Sequence, residues 1–186
     1  MKIADMLLDH NSDEAEKEIV QFGVERIVTV LVATFLVLVV GYLLDETIRT
    51  ILLLVCLFPL RQNAGGFHLT NKYACSIVSV SSLICMVLIM KYCAIPYYFS
   101  LITLLAFSVP IVYWAPVGNR NRFLGEDEKV VFGNRARTIW LFETVAFMVL
   151  WGINQSRWYI ILLLSVVVTG SLVSVGRFQE MLFERR

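Results

Sequence analysis

The residues best able to do covalent chemistry lie in one short stretch, Arg61-Gln-Asn-Ala-Gly-Gly-Phe-His68-Leu-Thr-Asn-Lys-Tyr-Ala-Cys75. A thiolate is a strong nucleophile, and a neighbouring imidazole can take the thiol's proton. His68 and Cys75 are seven residues apart, and seven helical steps of about 100° return to within roughly 20° of the starting azimuth, two turns on. A helix begun near Phe67 therefore puts imidazole and thiol on one face, about 10 Å apart along the axis. That spacing needs a bent first turn, or substrate and water between the two groups. A helix begun with Thr70 or Asn71 as N-cap instead frees His68 to fold back, and sets Cys75 near the positive helix end where thiolate is favoured. Gly65 and Gly66 permit a sharp turn and close backbone approach to a substrate. Arg61 can favour the thiolate, hold a substrate carboxylate or help hold an oxyanion.

Other reactive residues carry less. Cys56, Cys85 and Cys93 lie in or beside apolar segments, where a cysteine acts as a small hydrophobe; with Cys75 they do not form the pattern of a secreted disulfide framework. His10 sits in an acidic stretch and suggests no role. Gln62 and Asn63 are candidates for a third catalytic group, and Glu143 a weaker one. The chain has no HExxH helix or comparable ligand set, so neither metal nor cofactor is expected. A net charge of +1 without a basic, aromatic-interleaved patch gives no reason to expect nucleic acid.

The elements that must position these groups are apolar helices. Of 186 residues, 58% are apolar and 17% charged, with a mean hydropathy of +0.73, well beyond the balance of soluble domains. The excess is segmented: Ile27–Leu44 holds 18 residues without a charge, Ile95–Val117 holds 23, Trp158–Gly176 has none, and Ile139–Asn154 has Glu143 alone. A hydrocarbon core about 30 Å thick needs roughly 20 such residues, and lipid forces them helical because it offers the backbone no partner. The pattern predicts an all-α polytopic membrane protein with spans at 27–44, 47–60, 73–90, 95–117, 138–154 and 158–176. The second is short and interrupted by Arg49, so it is expected to be tilted, buried or re-entrant. Pro110 and Pro116 are expected to kink or end the fourth.

Ahead of the spans, residues 1–26 combine apolar positions at helical spacing with seven acidic and three basic residues, as in an amphipathic segment at the membrane surface; no cleavable signal peptide is expected there. Residues 27–186 form a single membrane domain with one long polar connection, 118–137. Six spans with the N-terminus inside put 13 of the 16 Lys and Arg residues on the cytoplasmic side, as the positive-inside rule favours. If the second span fails to cross, the best arrangement has the N-terminus outside. Both place 61–72, 118–137 and the C-terminus in the cytoplasm.

The motif resembles that of the accessory gene regulator B (AgrB) family, membrane-embedded cysteine endopeptidases that process quorum-sensing peptide precursors in Gram-positive bacteria. The family's Arg, Gly-Gly-x-His and Cys seven residues later are matched by Arg61, Gly65, Gly66, His68 and Cys75, with Ser79 one turn on. Tyr113-Trp-Ala-Pro116 leads into a basic loop at the family's usual place, here interleaved with Glu126, Asp127 and Glu128. The resemblance implies Cys75 as nucleophile and His68 as general base, supported by Arg61, Gly65, Gly66 and Ser79, in a multi-pass bacterial membrane protein whose site faces the cytoplasm. It implies a thioester acyl-enzyme and a small precursor made of an amphipathic helix, a signalling core and an acidic tail. Arg120, Arg122, Lys129, Arg135 and Arg137 would then dock the tail or anionic headgroups, or simply obey the positive-inside rule. It also implies self-association; Gly170 and Ser174, small residues at helical spacing, would suit a homodimer interface.

The competing expectation is a small transporter or channel, with Arg49 and Glu143 lining a path. The chain lacks evident inverted repeats, and intramembrane charges are few.

Overall fold

The computed structural model describes residues 14–67, 72–118 and 125–184. These form six helices: α1 (Glu14–Leu43), α2 (Thr47–Ala64), α3 (Lys72–Tyr92), α4 (Tyr97–Trp114), α5 (Glu126–Gly152) and α6 (Ser156–Glu184). No strand occurs among the described residues; there is one isolated bridge, between Gly65 and Val117. Each expected span has its helix. Among the described residues three are long and apolar enough to cross a membrane: α3 from Ala74, α4 and α6 as far as Leu182; α1 adds a shorter apolar stretch, Ile27–Leu43. Large side chains such as Phe35, Phe99 and Phe142 are 59–73% exposed on the outer surface, which suits lipid and would be costly in water.

The helices differ from the expected spans mostly at their polar ends. α1 is one continuous helix from Glu14, so the latter half of the surface segment and the first span are a single element. α5 begins at Glu126, so only part of the 118–137 connection is loop. Glu, Lys and Arg are good helix formers, and the Glu128 carboxylate accepts from the Gly125 N–H at 3.3 Å, closing the helix start. α2 runs through Pro59 to Ala64, longer than the apolar run implied. α4 ends at Trp114 and keeps Pro110 inside it.

α6 is the central element. About two-thirds of its apolar window (67%) is buried, against 22% for α3. It contributes to both hydrophobic clusters. One joins Leu60, Leu104, Ile111 and Phe147 to Tyr159, Leu163, Val166 and Val173. The other joins Val37, Leu53, Leu57, Met86 and Val87 to Ile160, Ile161 and Leu164. α2, α4 and α5 pack along α6, whereas α3 leans chiefly on α1 and touches α6 more slightly. Gly170 of α6 is a buried contact with α4: a Cβ there would overlap the Phe107 carbonyl. It is thus taken up inside the protein, and Ser174 bonds back to it (2.8 Å). The homodimer surface expected of this pair is not on offer at Gly170, because close helix packing has already used it.

The bundle has two polar ends. At one, short links join α1 to α2, α3 to α4 and α5 to α6. There Arg49 donates to the Glu46 carboxylate (2.7 Å) and to the Met90 carbonyl (3.1 Å), while Lys91 donates to the Leu44 carbonyl (2.6 Å). The Arg that interrupted the second span is thereby buried with its charge matched. The other end carries the α2–α3 loop, the α4–α5 connection and the C-terminal turns of α6.

Candidate active site

The α2–α3 loop is shaped by its glycines. Gly65 has φ +69° and Gly66 φ +113°, backbone that L side chains rarely adopt. The turn is also tight in space. A Cβ on Gly65 would overlap the Val117 carbonyl oxygen, and one on Gly66 would stand 2.8 Å from that of Leu172. Backbone hydrogen bonds fix it on two sides. Val117 N–H donates to Ala64 O (3.1 Å), Gly66 N–H to Val117 O (3.2 Å) and Phe67 N–H to Leu172 O (2.9 Å). Gly176, one turn beyond Leu172, leaves room for the loop: its Cβ would lie 2.8 Å from Phe67 N.

Arg61 closes the loop from within. Its guanidinium donates to the carbonyls of Gly65 and Phe67, the latter at 3.0 Å. Two of its nitrogens therefore hold backbone, which fits a positioning role; a planar fork spans two such acceptors where an ammonium would not.

The chain leaves this clamp at Phe67 and, after residues 68–71, enters α3. Cys75 is the fourth described residue of α3 and is half-buried. The expected base, His68, lies outside the described residues, as do Thr70 and Asn71, the alternative N-caps. Ser79, one turn past Cys75, is exposed, and its carbonyl accepts from Ser82 Oγ (2.8 Å). All four cysteines are free thiols, and Cys85 on α3 and Cys93 in the α3–α4 link are exposed rather than buried.

The other candidates are spread. Gln62 is exposed, and Asn63 Nδ2 donates to Pro59 O (2.8 Å). Asn63 lines an open cleft of about 320 Å³ with Asn134, Arg135, Thr138 and Ile139. Asn63 lies two residues before Gly65, so the cleft it shares with Arg135 adjoins the loop. Lys129 is exposed on the first turns of α5. Arg137 is a tie: Nε donates to Val112 O (3.1 Å), and its other nitrogens reach Ala115 O and Asn134 Oδ1 (both 3.5 Å). Arg120 and Arg122 lie outside the described residues. Glu143 is buried away from the loop, and Arg49 is paired with Glu46, so the two residues expected to line a transport path are not partners. Among the described residues no group of three or more His, Cys, Asp or Glu side chains is placed to hold a metal ion.

Sequence reasoning missed Val117, Leu172 and Gly176, which seat the loop. The available signal was Gly176 itself, because glycine inside a helix destabilises it by about 1 kcal/mol and calls for a packing reason.

Fold and site together define an all-helical membrane protein with a glycine loop clamped beside a helix that carries a thiol. Residues 1–175 match the family Accessory gene regulator B, and the chain belongs to that family, which is associated with the processing of quorum-sensing peptides. Two curated relatives, from Clostridium perfringens strains SM101 and 13, bear the printed names "Putative AgrB-like protein" and "Putative AgrB-like protein 2". Each is 26% identical over 81 residues, 44% of this chain and 38% of the relative, so the similarity spans well under half of their length. No solved structure matches.

Proposed function

We propose that this protein is a cysteine endopeptidase that cuts a quorum-sensing peptide precursor at the cytoplasmic face of the membrane and promotes its closure into a thiolactone or lactone. The observation that carries the reading is the clamped Gly65–Phe67 loop, leading within a few residues to Cys75 in a chain of this family. His68 takes the thiol proton, and the Cys75 sulfur attacks the carbonyl carbon of the scissile peptide bond. The C–N bond breaks, the imidazolium returns its proton to the departing amine, and a thioester to Cys75 remains. A thiol or hydroxyl within the precursor then attacks that thioester, closes the ring and restores the Cys75 thiol. With a precursor thiol, one thioester is exchanged for another, so no energy source is needed provided water is kept from competing.

Arg61 positions the loop, and Arg135, with the amides of Asn63 and Asn134 in the adjoining cleft, supplies charge for an acidic segment of the precursor. Lys129, Arg120 and Arg122 add to that field, and Arg137 contributes mainly as a tie. The protein acts as a homodimer in this reading.

The test is co-expression with the cognate precursor, followed by mass spectrometry. The wild type should yield the truncated product, and Cys75→Ser none, with the variant inserted and as thermally stable as the wild type. Product from Cys75→Ser would defeat the assignment.

A further inference from the structure

One side of the loop's seat is Val117, which donates to Ala64 O (3.1 Å) and accepts from Gly66 N–H (3.2 Å). Val117 follows the end of α4 at Trp114, and Ala115 between them is already extended, with φ −72° and ψ 141°. Chain just past a helix end lies outside the helix's own hydrogen-bond ladder. Contacts from outside α4 must therefore set where Val117 stands. Val112 shows the need most clearly. It is among the last four residues of α4, whose carbonyls have no partner within the helix. The residue four further on is Pro116, which has no N–H to give it.

α5 supplies what is missing. Gly133, Ala136 and Arg137 are spaced to share one face of that helix. Arg137 Nε donates to Val112 O (3.1 Å), and a second nitrogen reaches Ala115 O (3.5 Å). The third reaches Asn134 Oδ1 (3.5 Å), which steadies the guanidinium on its own helix. A cation at the C-terminal end of α4 is also favoured by the helix dipole. Gly133 is buried and allows α5 to come close: a Cβ there would lie 3.0 Å from Pro116 Cδ and 3.4 Å from Ala115 O. Ala136 is fully buried in the cluster that also holds Ala64, Ala115 and Val117.

We propose that Arg137 and Gly133 are positioning residues, which fix the end of α4 so that Val117 meets Gly66 and the Gly65–Phe67 loop keeps its path. Arg137 is then not one of the cations that dock a precursor. Its nitrogens are committed to main-chain carbonyls and to Asn134, whereas Arg135 lines the open cleft. A planar guanidinium spans two carbonyls where an ammonium serves one, so positive charge alone does not replace it. The consequence for turnover rests on the peptidase reading; the effect on the loop does not.

The test begins with hydrogen exchange, resolved to single amides, on the purified full chain in lipid nanodiscs. In Arg137→Gln and Arg137→Lys the Gly66 and Val117 amides should exchange about tenfold faster than in the wild type. Phe67 N–H, which bonds to Leu172 O instead, should exchange at close to its former rate. Gly133→Ala leaves the charge in place and should speed the same two amides. Wild-type rates at Gly66 and Val117 would overturn the proposal for whichever residue was changed. A rise spread equally over Phe67 and the buried amides of α6 would overturn it too, because it would mark loosening of the whole fold. With cognate precursor, Arg137→Lys should lose about tenfold in kcat, with KM changed less than twofold at low and high ionic strength alike. A raised KM with kcat intact in Arg137→Gln, restored in Arg137→Lys, would make Arg137 a docking cation and overturn the proposal. If the wild type processes no precursor, the peptidase reading fails, and the exchange rates still decide the positioning.

Discussion

The two ends of the bundle are held by different kinds of contact. Where α1 meets α2, charged side chains do the fastening: Arg49 and Glu46 pair in burial, and Arg157 approaches Glu46 at 3.8 Å. At the site end, backbone meets backbone. Ala64, Gly66 and Phe67 bond to Val117 and Leu172, and only glycine at positions 65, 66 and 176 allows the approach. Side-chain fasteners can be lost while the main chain keeps its path. A main-chain seat cannot, since any added Cβ displaces the loop. The ion-paired end should therefore govern stability, and the glycine seat should govern turnover.

Three variants try that division. The largest effect on turnover is expected for Gly66→Ala, which combines a positive φ with an overlap at Leu172 O. Two penalties of about 1–3 kcal/mol each correspond to a loss of roughly 100-fold or more in precursor processing. Full processing by this variant would break the comparison at its strongest point. Gly176→Ala comes next. Alanine improves the helix by about 1 kcal/mol, yet its Cβ presses on Phe67 N. Since a 1 Å misplacement can lose about 100-fold, a shift of a few tenths should lower kcat about tenfold. The helix gain and an overlap of about 1–3 kcal/mol oppose each other, so the variant should lose no more than about 2 kcal/mol of stability, and a stable, fully active protein would show that the seat does not matter. The smallest effect on turnover belongs to Glu46→Gln. It leaves the Arg49 guanidinium buried without its counter-charge, destabilising the fold by about 3 kcal/mol. Turnover per folded molecule should change less than about twofold, the level of substitutions remote from a site. A large fall in kcat with an unchanged thermal midpoint would reverse the assignment of the two ends.

Helix number and type were legible because lipid leaves little choice. Apolar runs such as Trp158–Gly176 can only be helical in a bilayer, and α6 covers that run. Boundaries were less so. Hydropathy stops at the apolar edge, whereas α1 and α5 continue through Glu14–Arg26 and Glu126–Arg137, where charged residues favour helix without favouring lipid. Arg49 looked like an interruption because its partners, Glu46 and the Met90 carbonyl, cannot be inferred from hydropathy. The glycine turn was legible from Gly65-Gly66 alone. Its anchor was not, because nothing local to residue 66 points to Leu172. Gly170 was visible as a small residue fit for close packing, but its partner proved to be Phe107 of the same chain.

The seat for Phe67 is supplied by Leu172 and Gly176, more than a hundred residues later in the chain. Helices are made in order, N-terminal ones first. During translation the loop before Cys75 thus waits, without its anchor, until α6 has been inserted. A ribosome stalled before residue 172 would leave Cys75 in the membrane with its loop unset, so the loop takes its seat only once α6 has been made.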